Sequence, residues 1–93
     1  MIHKAYIVYD SKALYYSSPF FMKSKGEAIR AFTESANDPT HTFGKYPADF
    51  TLFETGEFDD QVGVFEQYEA HHSLGTAMEF VARPDKPNLE RVS

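Results

Sequence analysis

The segment from Leu14 to Phe32 constrains the fold of this chain more than any other. Ser24 and Glu27 have the spacing of a capping box. In this motif the serine hydroxyl accepts a hydrogen bond from a first-turn N–H, and the glutamate carboxylate accepts one from the backbone N–H of the cap residue. A helix is therefore predicted from Ser24 to about Ala36. Behind the cap, a single apolar stripe suited to packing on a sheet recurs at one, four and eight residues: Ala28, Ile29, Phe32 and Ala36.

The residues before this helix are predicted to be extended. Pro19 has no N–H and disfavours helical geometry at Ser18, so residues 15–22 should lie at a sheet edge or in a loop. Bulky rings at such an edge either pack inward or contact a ligand.

The length of 93 residues corresponds to one small domain, predicted over residues 1–83, with a flexible tail at residues 84–93. No run approaches the roughly 18 apolar residues of a membrane span, and the N-terminus lacks the layout of a signal peptide. A cytoplasmic protein without membrane contact is therefore predicted. Because the chain has no cysteine, disulfides and thiolate chemistry are excluded.

The net charge of −5 is unevenly distributed along the chain. Residues 1–48 carry six basic and four acidic side chains, whereas residues 49–93 carry three basic and ten acidic ones. This asymmetry predicts one side that faces a polyanion and one acidic side. The alternative interpretation is ordinary solvated surface in both halves.

Residues 4–9 are β-branched and aromatic and fairly apolar on both faces, which predicts a central strand. Asp10 suits an Asx-type turn, in which its carboxylate accepts from backbone N–H groups two residues on. After the first helix, the polar segment up to Pro47 is predicted to cross the sheet as a loop. Phe43 and Tyr46 are expected to pin this loop to the core.

The clearest strand pattern is a hairpin, with strands predicted at residues 49–58 and 62–68 around a turn at residues 59–61. Gly63 suits the positive φ of a short hairpin loop, and Gly56 indicates a bulge or a close backbone approach.

Ser73 is predicted to cap a second, short helix. Its apolar positions fall at spacings of three, four and seven: Leu74, Ala77, Met78 and Val81. The order β-β-α-β-β-α then predicts an α+β fold, a small antiparallel sheet of three or four strands with two helices on one face.

Cations and aromatic rings are interleaved around the first helix, the combination that holds single-stranded nucleic acid. The candidate nucleic-acid-binding residues are Lys12, Tyr15, Tyr16, Phe20, Phe21, Lys23, Lys25 and Arg30. The alternative interpretation places one face of this segment in the core: Leu14, Tyr16, Phe20 and Met22. In that interpretation Arg30 merely pairs with Glu27 or Glu34 on the helix.

Metal and acid–base sites are not predicted. His71 and His72 are adjacent, so they point apart on a helix or a strand, and we expect them in a surface loop. Asp59 and Asp60 suit the chemistry of a turn. The hairpin carries three carboxylates without an identifiable nucleophile: Glu54, Glu57 and Glu66. Because the chain also lacks a Gly-rich phosphate loop, HExxH and GxSxG, neither an enzyme nor a cofactor is expected.

Several blocks of the sequence, in their order and spacing, resemble a known family. The blocks are DSKA at Asp10–Ala13, YSSPFF at Tyr16–Phe21, GEAIRAF at Gly26–Phe32, NDP at Asn37–Pro39 and KYPADFTLFETGEFDDQVG at Lys45–Gly63. Over about residues 4–83 the chain resembles the small nonstructural protein of gokushoviruses, which are single-stranded DNA phages of the Microviridae.

The resemblance implies a DNA-packaging protein of the host cytoplasm that is not a capsid component. Such a protein supports the switch from double-stranded replicative form to single-stranded genomes. The implied partners are viral DNA, the phage replication initiator, host replication proteins and the procapsid. The resemblance supplies no catalytic or DNA-binding residues, so the assignments above come from chemistry alone.

Two functions are predicted. The first is sequence-tolerant binding of single-stranded DNA by a homodimer, which would double the basic surface and bury a sheet edge. The alternative is a protein-interaction adaptor that contacts host replication proteins or the procapsid through its acidic hairpin, without direct DNA contact.

Overall fold

The computed structural model describes residues 1–82, which form one antiparallel sheet with helices packed on one face. The strands are β1 (Ile2–Asp10), β2 (Tyr15–Tyr16), β3 (Phe20–Met22), β4 (Phe50–Asp59) and β5 (Val64–Thr76). The helices are α1 (Lys25–Ala36), α2 (Thr42–Lys45), a 3-10 helix (Pro47–Asp49) and α3 (Ala77–Phe80). The predicted α+β class is confirmed. The predicted tail at residues 84–93 lies outside the described residues.

The central strand is β1, as predicted. It pairs with β4 on one side and with both β2 and β3 on the other, and β5 completes the order β2-β1-β4-β5. Residues 15–22 do not form one continuous strand, because the segment from Ser17 to Pro19 separates β2 from β3. Ser17 bridges this gap, since its N–H donates to the carbonyl of Val8 and its hydroxyl accepts from the N–H of Val8.

Helix α1 begins where the sequence predicts. The Ser24 hydroxyl accepts from the N–H of Glu27 at 3.2 Å. The Glu27 carboxylate accepts from the N–H of Lys23, one residue before the cap, at 3.3 Å. The predicted apolar stripe is confirmed, because Ala28, Phe32 and Ala36 are buried and Ile29 packs against the core from its edge.

The core lies between α1 and one face of β1 and β4. The sheet contributes four side chains: Tyr6, Val8, Phe50 and Leu52. Phe32 packs at the centre of this layer, with its ring 5.3 Å from that of Phe43 and 5.9 Å from that of Phe80. One ring from α1 therefore joins α2 and α3 to the sheet.

The segment predicted as a loop before Pro47 contains helix α2. His41 caps it, since Nδ1 accepts from the N–H of Phe43 at 3.0 Å. Phe43 reaches the core, as expected, and its ring lies 4.7 Å from that of Phe50. The expectation for Tyr46 is wrong, because its side chain is 59% exposed.

The hairpin is longer than its sequence pattern. Gly63 has the predicted positive φ, +72°, but the turn lies at residues 60–63 and not at residues 59–61. Strand β5 then continues through Ser73 to Thr76 instead of entering a helix. The pairing of Phe53 with Ser73 and of Leu52 with Gly75 explains this, because the ladder to β4 satisfies the backbone groups that a helix would have used. Only one turn of helix, α3, follows.

The end of the hairpin corrects two sequence-based predictions. The short helix is capped by Thr76, whose N–H donates to the Glu79 carboxylate, and not by Ser73. His71 and His72 belong to β5 and not to a surface loop. They point apart, as expected of neighbours on a strand.

Candidate nucleic-acid interface

The face of the sheet opposite the helices is lined with aromatic rings. Strand register and alternation place on this open face the residues His3, Ala5, Ile7, Tyr9, Tyr16, Phe21, Thr51, Phe53, Gly56, Phe58, Phe65, Gln67, Glu69, His71, Ser73 and Thr76. None of the helices within residues 1–82 covers it, and the rings of Tyr16, Phe21 and Phe65 are 45–46% exposed. Rings left half exposed by the fold itself are available to a ligand.

One group of rings lies at the β2 end of the open face. Tyr16 contacts Tyr9 at a centroid distance of 4.7 Å, Phe53 at 6.2 Å and His71 at 5.5 Å. His71 is fixed from below by a 2.9 Å hydrogen bond between Nδ1 and the Thr55 hydroxyl. The group thus spans the sheet from its β2 edge to its β5 edge.

A second group lies at the β3 end. The rings of Phe21 and Phe58 are 6.0 Å apart, and with His3 they line a shallow apolar cavity of about 450 Å³. His3 Nε2 lies 2.9 Å from a carboxylate oxygen of Asp60, whose other oxygen accepts from the N-terminal ammonium at 2.7 Å. The hydrogen bonds from the ammonium and from His3 lower the pKa of Asp60 below its ordinary value.

Two small residues separate the ring groups. Ala5 is fully buried, and it pairs with Gly56 on one side and with Phe21 on the other. A Cβ on Gly56 would lie 2.6 Å from the carbonyl oxygen of Glu66 and 3.1 Å from the ring of Phe65. Only glycine therefore lets Phe65 lie over β4, and the close approach predicted for Gly56 is confirmed.

Four of the carboxylates on the hairpin strands point away from the open face. Glu54 pairs with Tyr6, a core residue, so it lies on the helix side of the sheet. By the same alternation Glu57, Asp59 and Glu66 lie on the helix side. The open face therefore has few carboxylates although the whole chain is acidic: alternation along β5 leaves Glu69 there, and Asp60 binds His3 at the β3 end.

The structure divides the eight predicted binding residues among several places. Tyr16 and Phe21 lie on the open face, whereas Tyr15 and Phe20 lie on the helix side. Phe20 stacks on Tyr6 at 5.8 Å, and Tyr15 lines a cavity with Phe43. These four rings therefore do not form one surface.

The predicted cations are all exposed, but they too are dispersed. Lys12 is in the Asp10 turn, where its N–H donates to the Asp10 carboxylate. Lys23 and Lys25 flank the Ser24 cap, and Arg30 lies further along α1. The β2/β3 edge therefore has a lysine near each end, Lys12 and Lys23.

Sequence reasoning missed the contribution of the hairpin to this surface. Four open-face rings come from β4 and β5: Phe53, Phe58, Phe65 and His71. Alternation along β4 separates Phe53 and Phe58 from the glutamates, but only the bulge at Thr55 puts both rings on one face. The register that brings them beside Tyr16 and Phe21 is a property of the whole sheet.

A polar cluster lies on the opposite side of the sheet. Glu54 is buried and accepts from the Tyr68 hydroxyl at 2.6 Å, while Lys4 donates to Glu57 at 2.7 Å. Burial and the neighbouring Glu54 carboxylate raise the pKa of Tyr6 to about 12. Burial, followed by the hydrogen bond to Glu54, also raises the pKa of Tyr68.

These raised pKa values predict a loss of stability in alkali. Between pH 10 and 12 the unfolded chain loses the Tyr6 proton while the folded chain retains it, so the free energy of unfolding falls as the pH rises. The Tyr6→Phe variant should show a shallower fall, measured by urea unfolding at pH 9, 10 and 11. At pH 7 the variant should be as stable as the original chain, because the buried Tyr6 hydroxyl makes no hydrogen bond of good geometry within residues 1–82. An unchanged slope would contradict the assignment.

The described residues offer no metal centre. Within residues 1–82, no three His, Asp or Glu side chains are grouped closely enough to hold a metal ion. Asp59 and Asp60 have structural partners: Asp59 accepts from the N–H of Gln61 at the turn, and Asp60 binds the N-terminal ammonium.

Comparison with known proteins identifies the family. The family described as "Phage ORF5 protein" matches residues 3–80, nearly the whole described structure. No curated protein and no solved structure matches the chain significantly. In the described part of the chain, no helix has the length and apolarity needed to cross a membrane. The chain belongs to the Phage ORF5 protein family.

Proposed function

We propose that this phage protein binds single-stranded viral DNA on the open face of its sheet. The observation that carries the proposal is a sheet face with three half-exposed aromatic rings and, among its strand residues, a single carboxylate, Glu69, in a chain whose net charge is −5. Phosphates are repelled by carboxylates, so the face with the fewest of them is the part of an acidic protein best suited to a polyanion.

The arrangement of the rings favours single strands over duplex. Unstacked bases lie on aromatic side chains of sheet surfaces, whereas a duplex hides the faces of its bases. Tyr16 and Phe21 offer two stacking positions along the β2/β3 edge, and Phe65 offers a third across the sheet. Stacking of this kind tolerates any base, which suits a protein that must follow a whole genome.

Lysines at the β2/β3 edge supply the phosphate contacts in this proposal. Lys23 follows β3, two residues beyond Phe21, and Lys12 lies in the turn that precedes β2. The backbone of a strand whose bases stack on Tyr16 and Phe21 would therefore run between the two lysines. Lys25 and Arg30 lie on α1 and extend the positive charge away from the sheet.

The biological role is proposed from the family and from the resemblance. Membership in a phage protein family fits the resemblance to the nonstructural protein of gokushoviruses, whose genomes are single-stranded DNA. A non-capsid protein that coats newly made single strands in the host cytoplasm would support the switch to genome synthesis and packaging. The homodimer stays a prediction.

Binding should be specific for single strands and should weaken with salt. If two to four cations contact phosphates, the slope of log K against log salt should be about −1.4 to −2.8. Fluorescence anisotropy with a labelled 20-mer of thymidylate, measured from 50 to 300 mM NaCl, gives the slope. The same oligonucleotide annealed to its complement is the control. Equal affinity for the duplex, or an affinity that salt does not change, would rule out the proposed mode.

A further inference from the structure

The two edges of the sheet differ in what they offer to another chain. At one edge β2 and β3 have two and three residues, with Pro19 between them. At the other, β5 runs for 13 residues, and no strand within residues 1–82 pairs with its outer side. A long edge of this kind presents unpaired N–H and C=O groups, which invite pairing with a further strand.

An apolar groove with an acidic rim lies beside this edge, near the hairpin turn. The groove has a volume of about 220 Å³ and is on the helix side of the sheet. Its lining consists of three apolar and three acidic side chains: Ile2, Val62, Val64, Glu57, Asp59 and Glu66. The apolar ones are 44–67% exposed, because the helices end before they reach this part of the sheet.

The charges across this face are unbalanced. Register aligns Lys4, Glu57 and Glu66 on three neighbouring strands, and Lys4 binds Glu57 at 2.7 Å. Glu66 thus faces a like charge on β4, while within the described residues it forms no ion pair. Like charges directly opposite on neighbouring strands are destabilising. A cation beyond β5, next to Glu66, would relieve the repulsion.

We propose that β5 binds an extended segment of a partner protein by strand addition, and that this segment alternates basic with apolar residues. Its lysines or arginines lie beside Glu66 on the acidic side, and its apolar side chains lie beside Phe65 and extend the open face. A second copy of this chain fits poorly at β5, so a homodimer would have to form through another surface. Two β5 strands side by side would bring together the carboxylates that this strand carries, Glu66 on one face and Glu69 on the other. The inference does not depend on DNA binding.

The test uses a pair of synthetic peptides. One is a labelled nine-residue peptide that alternates valine with lysine, and the other has glutamate in place of lysine. The lysine peptide should bind the full-length protein more tightly, measured by fluorescence anisotropy at 50 mM NaCl. Hydrogen exchange followed by NMR should report new protection at the β5 amides that point away from β4.

Two variants and a matched control test the role of Glu66. Glu66→Gln should weaken the binding of the lysine peptide about threefold, as expected for the loss of one exposed ion pair. Glu66→Lys should shift the preference toward the glutamate peptide. Glu34→Gln removes the same charge from the exposed surface of α1 and should change nothing. The proposal is overturned if the two peptides bind equally, if Glu34→Gln acts like Glu66→Gln, or if protection appears outside β5. The proposal is also overturned if the molecular mass of the protein without peptide rises with its concentration and if Glu66→Gln strengthens this association. That result would identify a second copy as the occupant.

Discussion

Replacing Phe21 and Phe65 together by alanine should weaken the binding of single-stranded DNA by about thirtyfold or more. Each base stacked on a ring contributes roughly 1–3 kcal/mol, so the loss of two stacks costs at least about 2 kcal/mol. Because the two side chains are 46% and 45% exposed, their removal should leave the core intact. The dissociation constant for a 20-mer of thymidylate, measured by anisotropy at 50 mM NaCl, checks the prediction.

Two other exposed rings provide the control. Tyr15 is 64% exposed and Tyr46 is 59% exposed, but Tyr15 lies on the helix side of the sheet and Tyr46 lies between α2 and the 3-10 helix. The double alanine variant at these positions should bind DNA nearly as well as the original chain. If this pair weakened binding more than the change at Phe21 and Phe65, the open face would not be the interface.

Replacing Phe32 by alanine should destabilise the fold by about 3–5 kcal/mol. Phe32 is 4% exposed, and its ring contacts those of Phe43 and Phe80, so its loss leaves a cavity that joins α1, α2 and α3. A domain of this size has a total free energy of unfolding of about 5–15 kcal/mol. A loss of this size should therefore unfold a large fraction of the molecules at 37 °C. Urea unfolding followed by circular dichroism measures the change.

The matched control for Phe32 is Phe21→Ala, which deletes the same atoms from an exposed site. Its loss of stability should stay near or below about 1 kcal/mol, since little buried area is lost. The two substitutions thus separate the two roles of phenylalanine in this chain: one should lower stability, and the other should lower DNA affinity. Equal destabilisation by both would show that the open face is part of the core.

Where the signals are local, the sequence predicts the fold well. The cap of α1 depends on Ser24 and Glu27, and the turn of the hairpin depends on Gly63 and its neighbours. The sequence predicts the cap at its observed position and the positive φ of Gly63, with the turn displaced by one to two residues. It does not predict the end of β5, because Ser73 suits a helix cap locally while its pairing with Phe53 depends on a strand 20 residues earlier. Tertiary pairing decided between two locally acceptable structures.

Only part of the candidate site can be predicted from the sequence. Alternation separates Tyr15 from Tyr16 and Phe20 from Phe21, but it does not say which member of each pair faces the helices. That choice depends on where α1 docks. The contributions of Phe58 and Phe65 depend in addition on the bulge in β4 and on the register between the hairpin and β1.

The difference between the two edges of the sheet limits how far this protein can assemble by strand pairing. A strand added to β5 would become the new edge strand on that side of the sheet. At the opposite edge, the break at Pro19 leaves only β2 and β3, with two and three residues, to pair with another copy. Growth by strand pairing therefore stops after one addition. A protein with this asymmetry is protected from stacking into fibres while it keeps one edge free for a partner.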